Sequence, residues 1–284
     1  MPHLPRVLPI LLVGLSTVFA CAVETDAAEP TFRPKRVLLL GQKPDGHPAK
    51  SHEYMTGVRL LAKLLQIRDG VQAVVVQADN PWADGPELLD GADGAILFLA
   101  EGAKWVSADP ERLAAFQRLA KRGGGLTVLH WGMGTREVAP VENFVSLFGH
   151  CHGGPDRKYK VLTATLQPSS ESHPVLNGIA PIEVHDEFYY ALKQPPQVER
   201  LVPLIRVALD GSDQTVAWAW DRPDGGRSFG FSGLHFHDNW KWTEYRRLVL
   251  QGVLWSVGQP IPAEGLNVDV TESDLVPAPH PAPP

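Results

Sequence analysis

Residues 123 to 130 read Gly123-Gly124-Gly125-Leu126-Thr127-Val128-Leu129-His130, and this stretch decides the fold. The glycines stop a helix, Leu126 to Leu129 form a short buried strand, and a histidine arrives at the strand's carboxyl end. Trp131, Gly132, Met133 and Gly134 then make the turn. In an open parallel sheet, ligands bind where strands end in this way. A titratable side chain placed there is a site candidate.

The same alternation extends upstream. Lys35 to Gly41 (KRVLLLG) is an apolar run ending at glycine, as expected of a strand covered on both faces. Val71 to Gln77 and Gly94 to Leu99 read as the next two strands. Ser51 is expected to cap a helix running to about Arg68, with Met55, Val58, Leu61, Ala62 and Leu65 on one face. Ser107 or Asp109 caps a second helix, Pro110 suits its first turn, and Leu113, Phe116, Leu119 and Ala120 form its buried stripe. Strands alternating with helices imply an α/β fold with right-handed crossovers, a mostly parallel sheet and helices on both faces. Downstream, Val161 to Leu166, Arg200 to Val207, Thr215 to Trp220 and Arg227 to Ser232 read as strands, and Tyr245 to Val257 as a closing amphipathic helix.

Composition narrows the class of function. The chain has 284 residues, 44% hydrophobic and 20% charged, which suits one large domain. A net charge of −6 and scattered Lys and Arg leave no basic footprint, so nucleic acid is excluded as a partner. A small neutral or polar ligand fits better.

Arg6 followed by the apolar run Val7 to Ala20 has the layout of a secretory signal and is too short to span a bilayer comfortably. Residues 1–28 are therefore expected to direct export to the periplasm or the extracellular space, with no transmembrane span left in the mature protein. Two processing routes stay open: cleavage at Ala20-Cys21-Ala22, or a lipoprotein signal with Cys21 as the lipid anchor. Residues 29–34 read as a linker, 35–262 as the domain, and 263–284 as a Pro-rich disordered tail. Cys151 is the second of only two cysteines, so an exported chain must hold together by its core and not by disulfides.

Four segments carry groups suited to chemistry. His130 sits where a nucleophile elbow would place its reactive residue, with Gly132 and Gly134 supplying room. The stretch Phe229 to Asp238 ends a strand in His235 and His237, with His235, nearer the strand end, expected to face the cleft and His237 and Asp238 to support it. In His185-Asp186-Glu187-Phe188-Tyr189-Tyr190, ionisable groups precede aromatics, which is costly unless the charges are solvated or used. Glu187 is the expected inward group, able to bind a cation or act as a general base. In Ser51-His52-Glu53-Tyr54, a helix N-terminus favours a neutral His52, fit to ligate a metal or accept a proton. His150 reads as a supporting residue, and Cys151 is discounted as a nucleophile.

Taken in order, these segments resemble the trehalose-utilisation (ThuA-like) family of the class I glutamine-amidotransferase-like superfamily. The likeness runs from about Lys35 to Gln259. It rests on His52-Glu53, residues 123 to 130, Gly149-His150, Ser172-His173-Pro174-Val175 with Gly178, Asp186-Glu187 with Tyr189, Gly226-Arg227 leading to Gly233-Leu234-His235, and Leu250 through Trp255. The resemblance implies a flavodoxin-like core, with His130 in a place like the superfamily's elbow cysteine and His235 in one like its catalytic histidine. Glutamine hydrolysis by a thiol is then excluded. It further implies an exported protein of carbohydrate catabolism, acting on trehalose-like or 3-oxo disaccharides with help from a divalent metal such as zinc and no nucleotide cofactor. His130, Glu187 and His235 are the expected catalytic groups, and His52, His130, Glu187 and His235 the expected metal ligands. Trp131, Tyr189, His237, Trp240 and Glu53 are expected to bind the sugar. The competing reading is a non-catalytic carbohydrate-binding or scaffold protein with the same cleft.

Overall fold

The structure, a computed structural model, describes residues 1–3 and 33–277, and its large compact unit begins at Arg33. Residues 4–32, which hold most of the expected signal and Cys21, and residues 278–284 lie outside the described residues.

The first half alternates strands and helices: β1 (Lys35–Gly41), α1 (Tyr54–Gln66), β2 (Val71–Gln77), α2 (Gly85–Asp90), β3 (Gly94–Phe98), α3 (Gly102–Ser107), α4 (Pro110–Lys121) and β4 (Gly125–Leu129). A short pair, β5 (Gly134–Thr135) and β6 (His152–Gly153), flanks α5 (Val141–Phe148). Then come β7 (Lys158–Pro168), β8 (Ile182–Tyr190), β9 (Leu201–Leu209), β10 (Ser212–Asp221), β11 (Arg227–Phe231) and α6 (Thr243–Ser256).

The main sheet runs β2-β1-β3-β4-β11-β10-β9-β7-β8. Its first five strands are all parallel. With β11 as the fifth, this is the 2-1-3-4-5 order of a flavodoxin-like doubly wound sheet. Beyond β11 every pairing is antiparallel. The parallel half therefore brings the ends of β1, β4 and β11 to one edge.

Alternation along buried strands explains why both faces are covered. Val37, Leu39, Ile96 and Phe98 pack with Val58 and Leu61 of α1 and Leu248 and Val253 of α6. Their neighbours Leu38, Leu40, Ala95 and Leu97 face the other way, against Phe116 and Leu119 of α4 and Phe144 and Phe148 of α5. Successive side chains on a strand point to opposite faces, so a solid apolar run is what such a three-layer sandwich requires. Among the described residues, no helix is long and apolar enough to cross a membrane.

Several boundaries differ from the sequence reading. The cap of α4 is Asp109, which accepts hydrogen bonds from the backbone N–H of Glu111 and Arg112 at 2.9 and 3.2 Å. Ser51 does not cap α1; it bridges to Phe236, and the helix starts at Tyr54 behind Glu53. The segment His185 to Tyr190 lies within β8, with Val184, Asp186 and Phe188 buried on one face of the strand. Residues 263 to 275 are not a loose tail. Leu266 and Val268 are buried, and Arg246 and Arg247 donate to the carbonyls of Val268 and Leu266 at 2.8 and 2.9 Å. Two apolar residues spaced by one are enough to seat this strap, despite its acidic surroundings.

Close backbone packing braces the turn after β4. A Cβ on Gly102 would lie 1.9 Å from the carbonyl oxygen of Gly132, at the N-terminus of α3. The obstruction is backbone, which cannot rotate aside as a side chain can. Gly102→Ala is expected to destabilise the fold by about 1–3 kcal/mol, lowering Tm by roughly 2–12 °C for a domain of this size. Thermal denaturation followed by circular dichroism checks it; an unchanged melt would mean that the turn gives way freely.

Candidate active site

Three strained backbone positions set up the site. His130 follows β4 at φ +44°, His52 precedes α1 at φ +54°, and Leu234, just before His235, stands at φ +81°. Residues other than glycine adopt such angles at a cost of about 1–3 kcal/mol each, and they cluster where function requires a fixed geometry. The turn at His130 has the sharp strand-to-helix form of a nucleophile elbow, entering a short 3₁₀ turn over His130–Met133. In β11 the strand ends at Phe231, so strand alternation does not separate His235 from His237. The left-handed Leu234 turns His235 inward instead.

The three imidazoles meet. His52 Nε2 lies 3.0 Å from His130 Nε2, which is 3.3 Å from His235 Nδ1. Two of the outer nitrogens are anchored: His52 Nδ1 is 2.9 Å from Asp45 Oδ2, and His130 Nδ1 is 2.7 Å from the Ser232 carbonyl oxygen. A carbonyl or carboxylate can only accept, so both Nδ1 atoms carry the proton. Both Nε2 atoms then present lone pairs to each other at 3.0 Å. That contact calls for a positive charge between them, either a proton or a metal ion.

Burial argues against the proton. It pushes the His130 imidazole well below its ordinary pKa, and the neighbouring His52 and His235 push it further. His235 is lowered to about 3 by burial and by His52 and His47. His52 is lowered by burial, against the pull of Asp45. Neutral imidazoles are the form that ligates metals. The three ligand atoms lie within 4.8 Å of one another, and three nitrogens around one point suit zinc or a similar ion with an open fourth position. His52, His130 and His235 could thus hold a metal ion.

Carboxylates complete the surroundings, each in a different role. Asp45 accepts hydrogen bonds from His52, from Tyr54 Oη at 2.8 Å and from His47 at 2.7 Å. Although burial raises its carboxyl, these contacts hold it well below the usual carboxylate range. It orients His52 as outer partners orient metal-binding histidines. Glu187 Oε1 stands 3.9 Å from His130 Nε2 and 3.8 Å from His235 Nδ1, beside the imidazole group without belonging to it. Burial pushes Glu187 up to about 7, despite a hydrogen bond from Tyr189 that lowers it. Asp186, its neighbour, is fully buried and points to the opposite side of the strand. It accepts from the backbone N–H of Leu234 and His235 at 2.8 and 3.1 Å and from Tyr245 Oη at 3.0 Å, which pins the loop that carries His235.

A pocket of about 140 Å³ opens onto this group, lined by residues that include His47, His52, Trp131, Glu187 and Tyr189. Tyr189 Oη lies 3.0 Å from His130 Nε2. Of the residues expected to bind sugar, Trp131 and Tyr189 line the pocket, and the other three do not. Trp240 is fully buried in the core, where its ring passes close to Gly57 of α1. Glu53 is buried and accepts from the Lys50 backbone N–H at 2.8 Å, while His237 is buried away from the imidazole group. His150 packs against Trp218 with ring centroids 4.6 Å apart, remote from the cluster. Burial raises Cys151 to about 12, and its thiol donates to the Met133 carbonyl.

Asp45 and His152 are site residues that the sequence reading does not reach, and Asp186 is one whose anchoring role it does not assign. Asp45 carries a usable signal, since a carboxylate within the loop leading to a metal-binding histidine is a natural orienting partner. His152 lies in a two-residue strand that no periodicity reveals.

Comparisons with known proteins give the family and the fold. The ThuA family profile, described as trehalose utilisation, matches residues 36–256. A putative ThuA-like protein from Parabacteroides merdae superposes with a TM-score of 0.60 at 15% identity, over 81% of this chain and 94% of that one. One from Bacteroides uniformis gives 0.62 at 14% identity, again over 81% and 94%. A cytoplasmic protein of Salmonella typhimurium gives 0.52 at 13% identity, over 78% and 98%. At these identities the likeness shows the fold. A search of curated protein sequences finds no match. The profile spans most of the described domain, and the chain belongs to the ThuA (trehalose utilisation) family.

Proposed function

We propose that this protein is an exported, metal-assisted enzyme of carbohydrate catabolism that isomerises or cleaves a trehalose-like disaccharide in its 3-oxo form. The observation that carries the reading is the meeting of three neutral imidazoles with Glu187 at the carboxyl edge of the parallel sheet. The family's association with trehalose utilisation supports the substrate class, and the apolar run near the N-terminus supports export.

When bound, a divalent ion there would supply Lewis-acid polarisation of a carbonyl oxygen. His52, His130 and His235 would hold it, with Asp45 and the Ser232 carbonyl fixing two of the rings. A ketone acidifies the neighbouring C–H bond, and Glu187 takes that proton. Near pH 7 a carboxyl poised at about 7 can both accept the proton and return it. Return to the former carbonyl carbon, with the hydroxyl proton of the deprotonated carbon passing to the former carbonyl oxygen, gives isomerisation. Loss of the glycosidic oxygen from the carbon next to the carbanion gives elimination, with the proton passing to the departing hydroxyl. Trp131 walls the pocket, and the Tyr189 hydroxyl stands over the reacting centre.

Glu187→Gln tests this reading. Turnover of 3-oxotrehalose, followed by product chromatography, is expected to fall roughly 100-fold or more, with metal content unchanged. The base must be ionised, so the wild-type rate should rise with pH through about 7, and the variant should lose that rise. A variant as active as the wild type would remove Glu187 from the chemistry. A wild type that binds the sugar and never converts it would favour the binding-protein reading.

A further inference from the structure

Part of the pocket lies beyond Tyr189 and is not used by the chemistry above. The Tyr189 ring is stacked between His130, with centroids 4.5 Å apart and planes at 19°, and His152, at 3.9 Å and 4°. His152 therefore stands one ring layer farther from the imidazole cluster. It is buried and lines the pocket, and its Nδ1 has no hydrogen-bond partner among the described residues. Leaving such a buried nitrogen unpaired is costly.

Arg157 sits on the same wall. Its Nη1 donates to the Gly154 carbonyl at 3.2 Å, and among the described residues no carboxylate pairs with it. The pocket's other guanidinium, Arg136, is by contrast tied to Glu101. Tyr159 stands beside them, exposed on β7 and edge-on to His152 with centroids 6.3 Å apart. A fork of free N–H donors next to an exposed aromatic ring matches a pyranose, whose edge offers adjacent hydroxyls and whose face is apolar.

We propose that Arg157, His152 and Tyr159 form a second sugar subsite, which holds the ring distal to the imidazole cluster and makes the pocket select disaccharides over monosaccharides. This rests on the carbohydrate reading above and deepens it. Arg157 donates to adjacent hydroxyls of the distal ring, the ring face lies on Tyr159, and His152 forms the wall behind them. The proximal ring stays with Trp131, Tyr189 and Glu187.

Calorimetric titration of the purified protein with trehalose and with glucose tests the subsite, using wild type, Arg157→Met and Tyr159→Ala. Both positions are at least partly exposed, so the variants should fold, and a thermal melt confirms it. Wild type should bind trehalose at least about tenfold more tightly than glucose, as one or two added hydrogen bonds allow. In each variant that preference should shrink severalfold while glucose affinity holds. Variants that keep the preference, or that lose glucose and trehalose affinity in parallel, would overturn the subsite. A wild type that binds glucose without preferring trehalose would also overturn it and leave the proposed function standing. Binding of neither sugar by the wild type would overturn the subsite, while the proposed function stands or falls on turnover of 3-oxotrehalose.

Discussion

His130→Ala is expected to abolish metal retention and turnover while lowering Tm by only a few degrees. The reason is geometric. His130 Nε2 is the one atom that contacts His52, His235 and Tyr189 together, at 3.0, 3.3 and 3.0 Å, so its removal leaves two donors without their common partner. Removing a residue that merely orients a ligand typically lowers metal affinity roughly 10–100-fold. Losing a ligand itself should exceed that. The structural penalty is smaller: the Ser232 carbonyl loses its donor, worth about 1–3 kcal/mol, or roughly 2–12 °C at this domain size. Metal content by plasma mass spectrometry and a thermal melt give both numbers. A folded variant that keeps its metal would make His130 an ordinary buried histidine.

Asp186→Ala should show the opposite pattern, with a loss of stability that dominates everything else. Asp186 is fully buried and is the shared acceptor for the N–H groups of Leu234 and His235 and for the Tyr245 hydroxyl. Burial raises its carboxyl to about 6 while those donors pull it down. Alanine would strand several buried donors, a loss of the size seen when one partner of a buried charge network is removed, about 3–5 kcal/mol. The expected fall in Tm is roughly 6–20 °C. Asp186→Asn keeps the shape but turns an NH2 group toward donors, so it should fall between. Urea denaturation of both variants checks the order, and wild-type stability in Asp186→Ala would show that the loop carrying His235 is held by other contacts.

Much of the fold is legible in residue order because the parallel half is built from solid apolar runs. Lys35 to Gly41 and Leu126 to Leu129 are buried on both faces, and a run of that kind has few other uses. The positions of His52, His130 and His235 are legible for a related reason, as each follows a strand that can be located. Partners brought in from loops are not. Asp45 reaches His52 only through the fold of the loop after β1, and His152 reaches Tyr189 across a two-residue strand. Trp240 misleads because aromatic residues serve cores and sugar sites equally well, and only burial separates the two uses. The helix α5 carries an adequate signal in Val141, Phe144, Val145 and Phe148, spaced to form one face. Asp186 and Glu187 need the strand itself, because a period of two sends adjacent carboxylates to opposite sides.

X-ray absorption at the zinc edge, on protein loaded with one equivalent of zinc, tests the central claim most directly. Three imidazole nitrogens at about 2.0–2.1 Å are expected in the wild type and none in His130→Ala, which should not retain the ion. A shell of oxygen ligands alone, or a spectrum that His130→Ala leaves unchanged, would contradict it.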